Sequence, residues 1–214
     1  MQSYIKELLD NNEAWVQEQL ALDPEFFRKS AEGQTPKVLW VGCSDSRVPP
    51  NEITGTGKGE FFVHRNIANL VTYTDFNFLS VLKYAVFYLK VEHVIICGHY
   101  ECGGVKAAMG ETSHGLLDNW LLQIKDTLHF YEEELNILEG DARFDRLVEL
   151  NVIEQVNHLG NTNIVREAWE RGEFPYLHGW VYDISSGRIK PQVSNINTPK
   201  LLLELCKYQK KGTV

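Results

Sequence analysis

Apolar residues at Tyr4, Ile5, Leu8, Leu9, Trp15, Val16 and Leu20 recur at helical spacing and predict an amphipathic N-terminal helix. Asp23-Pro24 then reads as a cap followed by a first-turn proline, opening a second helix that ends near Gly33. The pattern changes at Lys37 to Cys43, a short apolar run between Pro36 and the polar Ser44-Asp45-Ser46-Arg47, which predicts a core strand. Glu60 to His64 predicts another. Thr74 is placed to cap a long helix through Leu89, and His93 to Cys97 is the next apolar strand, ending in Gly98-His99. Gly103-Gly104 opens a short helix, Leu116 to about Leu135 and Arg143 to Gly172 predict longer ones, and Leu177 to Ile184 with Arg188 to Val193 predict a late strand pair.

Strands alternating with helices imply an α/β fold: a mainly parallel central β-sheet flanked by helices, with an N-terminal helical arm. No repeat, low-complexity segment or linker interrupts the chain, so the expectation is a single domain over 1–214. Within it, 1–33 form the arm, 34–193 the α/β core and 194–214 a C-terminal helix or tail. In such sheets ligands gather at the carboxyl ends of strands. Cys43 and His99 both fall there.

Composition narrows the partners more than the fold. With 43% hydrophobic and 11% aromatic residues the chain is able to bury a core. A formal net charge of −8 repels phosphate backbones and anionic lipid, so neither nucleic acid nor a membrane is expected as a partner. The stretch from Met1 to Ala21 lacks a continuous apolar segment, and the expected location is the cytoplasm. The four cysteines, at 43, 97, 102 and 206, are too few for a disulfide scaffold at this length.

Two of them have chemical neighbours. Gly98-His99-Tyr100-Glu101-Cys102-Gly103-Gly104 puts an imidazole and a thiol three residues apart on a strand-to-helix turn, a spacing that suits two ligands of one metal. Cys43, at the end of another strand, is the best-placed third ligand, because Cys97 lies within a buried strand and Cys206 in a C-terminal helix. Two thiolates and an imidazole favour zinc by softness, and a three-ligand set leaves a fourth position for water. Spacing alone leaves open that these are unrelated buried thiols. Asp45 and Arg47, beside Cys43, are placed to pair with each other.

The segments CSDSR at 43–47, HRNIAN at 64–69 and GHxxCGG at 98–104 together resemble the β-class carbonic anhydrases, in order and in separation. The resemblance runs from the N-terminal helices to about residue 184. It implies zinc-dependent reversible hydration of carbon dioxide to bicarbonate, with one Zn2+ per chain on Cys43, His99 and Cys102 and a catalytic dyad of Asp45 and Arg47. It also implies self-association as a dimer or a dimer of dimers. One subgroup of the family, with a non-catalytic bicarbonate site, is matched at Trp40, Arg65 and Tyr182. There Asp45 is implied as a fourth zinc ligand in a closed state, so bicarbonate is expected to inhibit. Gln34, Phe62, Tyr84 and Gly103 are implied as lining the substrate pocket.

Other signals carry less. Gly55-Thr56-Gly57-Lys58-Gly59 lacks the spacing of a phosphate loop, His64 is left without a proton-transfer role, and His114, His129, His158 and His178 have no partner spacing. Three competing functions are hydrolysis of another small heterocumulene at the same zinc, a zinc-stabilised scaffold without turnover, and a redox thiol protein.

Overall fold

A computed structural model describes residues 2–211, which divide into two compact units after Thr35. The first unit holds α1 (Gln2–Leu22) and α2 (Phe26–Ala31), with Trp15 edge-on to Phe26 and Phe27 at ring-centroid distances of 6.1 and 5.5 Å. The second helix does not start at Pro24. Asp23 Oδ1 instead accepts from the Glu25 N–H at 2.9 Å, closing a turn, so helical geometry begins two residues later than the cap pattern predicts.

From Pro36 onward the chain builds a five-stranded sheet of order β2-β1-β3-β4-β5. The strands are β1 (Val38–Cys43), β2 (Phe61–Asn66), β3 (His93–His99), β4 (Tyr176–Asp183) and β5 (Arg188–Ile196). The first four pair in parallel, and β5 closes one edge antiparallel to β4. The predicted α/β sheet is therefore present. Strands β1 and β3 are buried on both faces, the reason their sequences are continuous apolar runs. Leu39, Val41, Val94, Ile96, Leu177 and Val181 point into the main core. On the opposite face Trp40 packs with Ile95 and Cys97, stacked on Phe61 at 5.6 Å and edge-on to Trp180 at 6.1 Å.

Short α3 (Pro50–Thr54) follows β1, and α4 (Phe76–Lys83) follows β2. The cap of α4 is Asp75, not Thr74: its Oδ1 accepts from the Asn77 and Phe78 N–H groups. Over Tyr84–Leu89 the same helix widens into π geometry before Lys90 ends it in the left-handed region. Next come α5 (Gly103–Met109), α6 (Leu116–Phe130), α7 (Glu132–Asn136), α8 (Gly140–Gly160) and α9 (Asn163–Glu170), the second of the predicted long helices being broken at Asn161-Thr162. Thr162 Oγ1 caps the new start by accepting from the Val165 N–H at 3.3 Å. Helix α8 supplies the central cover of the sheet, packing against β3, β4 and β5. The chain then forms α10 (Pro199–Lys211), which includes the backbone of Cys206; Met1 and 212–214 lie outside the described residues.

Candidate metal centre

Strands β1 and β3 are neighbours, and their parallel pairing brings both carboxyl ends to one edge of the sheet. Cys43 is the last residue of β1 and His99 the last of β3, while Cys102 is the N-cap of α5. Their ligand atoms all lie within 4.8 Å of one another, and all three residues are buried. The two Sγ atoms are 4.0 Å apart. Two sulfurs bound at about 2.3 Å to one tetrahedral zinc would lie about 3.8 Å apart, so the spacing fits.

The histidine is set for the same task. His99 Nδ1 lies 2.8 Å from the Tyr100 carbonyl, which can only accept, so Nδ1 carries the hydrogen and Nε2 presents its lone pair. That Nε2 is fully buried and has no hydrogen-bond partner, as expected of a ligand atom awaiting a cation. The turn that aims it is anchored twice: the Tyr100 N–H donates to the Tyr182 carbonyl at 3.0 Å, and the Tyr100 hydroxyl to Glu149 Oε1 at 2.7 Å.

The thiols point to a cation as well. Cys43 is pushed down, first by the hydrogen bond from Cys102, against the effect of burial and helped by His99 and the N–H groups of Ala68 and Asp45. Cys102 is pushed far up, first by that same contact and then by burial. Such a pair loses one proton readily and resists losing the second. A divalent ion between the sulfurs supplies the compensation that makes both thiolates stable. Cys97 is different: burial first, and then the charge of Cys43, drive its thiol up, and it sits with Trp40 on the opposite face.

Asp45 and Arg47 form the expected pair. Arg47 Nε donates to Asp45 Oδ1 at 2.9 Å and Nη2 to Oδ2 at 2.7 Å, a two-pronged charge-assisted contact, and the Arg47 N–H adds a third bond at 2.9 Å. The Arg47 hydrogen bonds hold the Asp45 carboxyl well below the usual carboxylate range. Its Oδ2 stands 3.7 Å from His99 Nε2, at the mouth of the cluster.

The backbone around the centre contains features that motif spacing did not reveal. Ala68 and Asn69 follow one another with φ of 63° and 51°, both in the left-handed region, and the Ala68 N–H is directed at Cys43. Gly104, rather than Gly103, is the glycine that packing requires. A Cβ on Gly104 would lie 2.9 Å from Ile67 Cγ2, whereas Gly103 has nothing within 4 Å. The N–H groups of Gly104 and Val105 are directed at Cys102.

The remaining candidates fall into separate groups. Arg65 donates to the carbonyls of Cys43 at 2.8 Å, Asp45 at 2.6 Å and Val48 at 3.1 Å, fastening the loop after β1. Trp40 and Tyr182 share the cluster on the opposite sheet face. Phe62 and Tyr84 form a ring pair at 5.7 Å, and Gln34 is exposed in the N-terminal unit. The glycine-rich loop at 55–59 is a turn: Glu60 Oε1 accepts from the Gly57 N–H at 2.7 Å. His178, unlike the sequence expectation, has a partner, His93 Nδ1 at 3.1 Å from its Nε2.

Comparison with known proteins agrees with this geometry. A family model described as carbonic anhydrase matches residues 38–189. A carbonic anhydrase of Emericella nidulans is 48% identical over 201 residues, covering 94% of this chain and 87% of that protein. One of two tetrameric β-carbonic anhydrases of Sordaria macrospora superposes with a TM-score of 0.83 at 43% identity, covering 88% of this chain and 96% of that one. A Coccomyxa β-carbonic anhydrase in complex with acetazolamide gives a TM-score of 0.88 at 34% identity, covering 95% and 96%.

Proposed function

The chain belongs to the β-class carbonic anhydrases, and on that premise we propose that it catalyses the reversible hydration of carbon dioxide to bicarbonate and a proton. The observation that carries the proposal is the buried Cys43-His99-Cys102 set with the Arg47-held carboxylate of Asp45 at its mouth. Cys43, His99 and Cys102 would hold zinc, which would supply activation of water as a nucleophile near neutral pH. Two thiolates would cancel the formal charge of Zn2+ and blunt its effect on a bound water, so the dyad would have to contribute. Asp45 Oδ2, kept ionised by Arg47, accepts the hydrogen of the attacking group and orients its lone pair. Arg47 fixes that pose. Phe62, Tyr84 and Gly103, all in the second unit, are the residues proposed to line the approach of carbon dioxide. The test is stopped-flow hydration with metal-stripped protein as control: activity that follows the metal supports the reading, and a stripped protein of full activity overturns it.

A finer reading concerns regulation. Bicarbonate bound by Trp40, Arg65 and Tyr182 inhibits by favouring a closed state in which Asp45 takes the fourth metal position. Arg65 supports this, because the guanidinium that would meet the anion already holds the Asp45 carbonyl, linking the two sites through 2.6 Å. Replacement of Arg65 with undiminished bicarbonate inhibition would overturn it. Self-association as a dimer or a dimer of dimers is tested by sedimentation, and cytoplasmic location by cell fractionation. No described helix is long and apolar enough to cross a membrane.

A further inference from the structure

Glu101 occupies a costly position. It sits between His99 and Cys102 with φ of 57°, a left-handed backbone that glycine adopts without strain, and the chain spends glycines at 103 and 104 but not here. A glutamate kept at such a residue suggests that its side chain is used. The turn places two of its groups against Arg47. The Glu101 carbonyl accepts from Arg47 Nη2 at 3.4 Å, and Glu101 Oε2 stands 3.8 Å from Arg47 Nη1.

Asp45 and Glu101 are the carboxylates within ion-pair distance of this guanidinium among the described residues, and they approach it on different nitrogens. Asp45 holds Nε and Nη2 in two short bonds; Glu101 faces Nη1, is 72% exposed and is free to draw closer. When Asp45 turns toward the metal, Arg47 loses its main counter-ion beside the buried ligand set. Arg47, 47% exposed, then keeps water and the Glu101 carbonyl as acceptors but has no carboxylate partner unless Glu101 draws in. Glu101 supplies the substitute.

We propose that Glu101 is the alternative counter-ion of Arg47, a positioning residue that receives the guanidinium when Asp45 leaves it and so favours the closed state. This rests on the regulatory reading given above for Asp45. The exchange breaks the Asp45–Arg47 contact, shortens the Glu101–Arg47 contact and moves no proton.

The experiment compares wild type, Glu101→Gln and Glu101→Gly as zinc and as cobalt-substituted enzymes across bicarbonate concentrations. The visible absorption of cobalt reports the closed state independently of turnover. In both variants the bicarbonate concentration that half-converts the spectrum should rise about two- to fivefold, the range an exposed ion pair supports, with half-inhibition moving in parallel. Gln keeps the strained backbone and Gly relieves it, so equal shifts assign the effect to the carboxylate. A shift in Gly alone overturns the proposal, as does a wild-type response that both variants reproduce. If the wild-type spectrum ignores bicarbonate altogether, the regulatory reading itself fails and this proposal falls with it.

Discussion

Replacing Gly104 by alanine should damage the metal centre without touching a ligand. The added Cβ would stand 2.9 Å from Ile67 Cγ2 and 3.2 Å from Ala68 Cβ. Ala68 is fully buried, so it cannot swing into solvent, and the Ile67–Asn69 turn has to retreat by several tenths of an ångström. Overpacking of this kind costs about 1–3 kcal/mol. The retreat also lengthens the hydrogen bond from the Ala68 N–H to Cys43, and disturbing such an outer partner weakens metal binding by about 10- to 100-fold. Urea unfolding of the zinc-loaded protein reads the first quantity, and zinc release to a chromophoric chelator reads the second. Gly103→Ala is the control, because its Cβ would meet nothing within 4 Å and should leave both within error or stabilise by up to about 1 kcal/mol. Identical behaviour of the two variants would refute the close-approach reasoning.

Four further outcomes follow from the same geometry. Arg47→Lys, which replaces a two-pronged fork by a point charge, should lower kcat/KM for carbon dioxide by about 100-fold with zinc content unchanged in elemental analysis. Arg65→Ala removes one donor from each of the Cys43, Asp45 and Val48 carbonyls and should cost about 2 kcal/mol in urea unfolding. Removing zinc should lower the thermal midpoint, and re-addition should restore it, since an ion bound only by the folded state stabilises it by mass action. The fourth concerns His178, which burial and then His93 lower to about 4. Its unfolded form binds a proton below about 6.5 while the folded form does not until about 4, so stability falls as pH drops through that window. His178→Gln should shrink the difference between urea midpoints at pH 7 and pH 5; an unchanged difference would count against the assignment.

The sheet was readable because its central strands are apolar on both faces: Val38–Cys43 and His93–His99 stand out from their flanks as short runs ending in polar, chemistry-bearing residues. Periodicity misjudged the joints. The expected helix from Arg143 to Gly172 carries no proline to mark its break, and only the side-chain bond of Thr162 to the Val165 N–H separates α8 from α9. Thr74 and Asp75 are both good caps, and nothing local decides between them. At the candidate metal centre Cys43 and His99 end strands, Cys102 caps α5 and Asp45-Arg47 follow β1, so all five stand next to apolar runs that the sequence marks. The sequence singles out Gly103-Gly104 as a pair for close backbone approach without telling which of the two packing requires, and it does not mark Ala68 or Glu101, although each lies within a recognised motif. Ala68 acts through its backbone N–H, Gly104 through a side chain it lacks, and Glu101 through a left-handed backbone. Sequence periodicity records none of these. The His93–His178 contact was hidden for a different reason, being a pairing across two strands 85 residues apart.

The central claim, that Cys43, His99 and Cys102 hold a catalytic zinc, is met most directly by measuring zinc content and carbon dioxide hydration on the same preparations of wild type and Cys102→Ser. One zinc per chain with activity in the wild type, and joint loss of both in the variant, is the predicted result. A variant that hydrates carbon dioxide at the wild-type rate without zinc, or a wild type that binds zinc fully and shows no hydration at any pH, would contradict it.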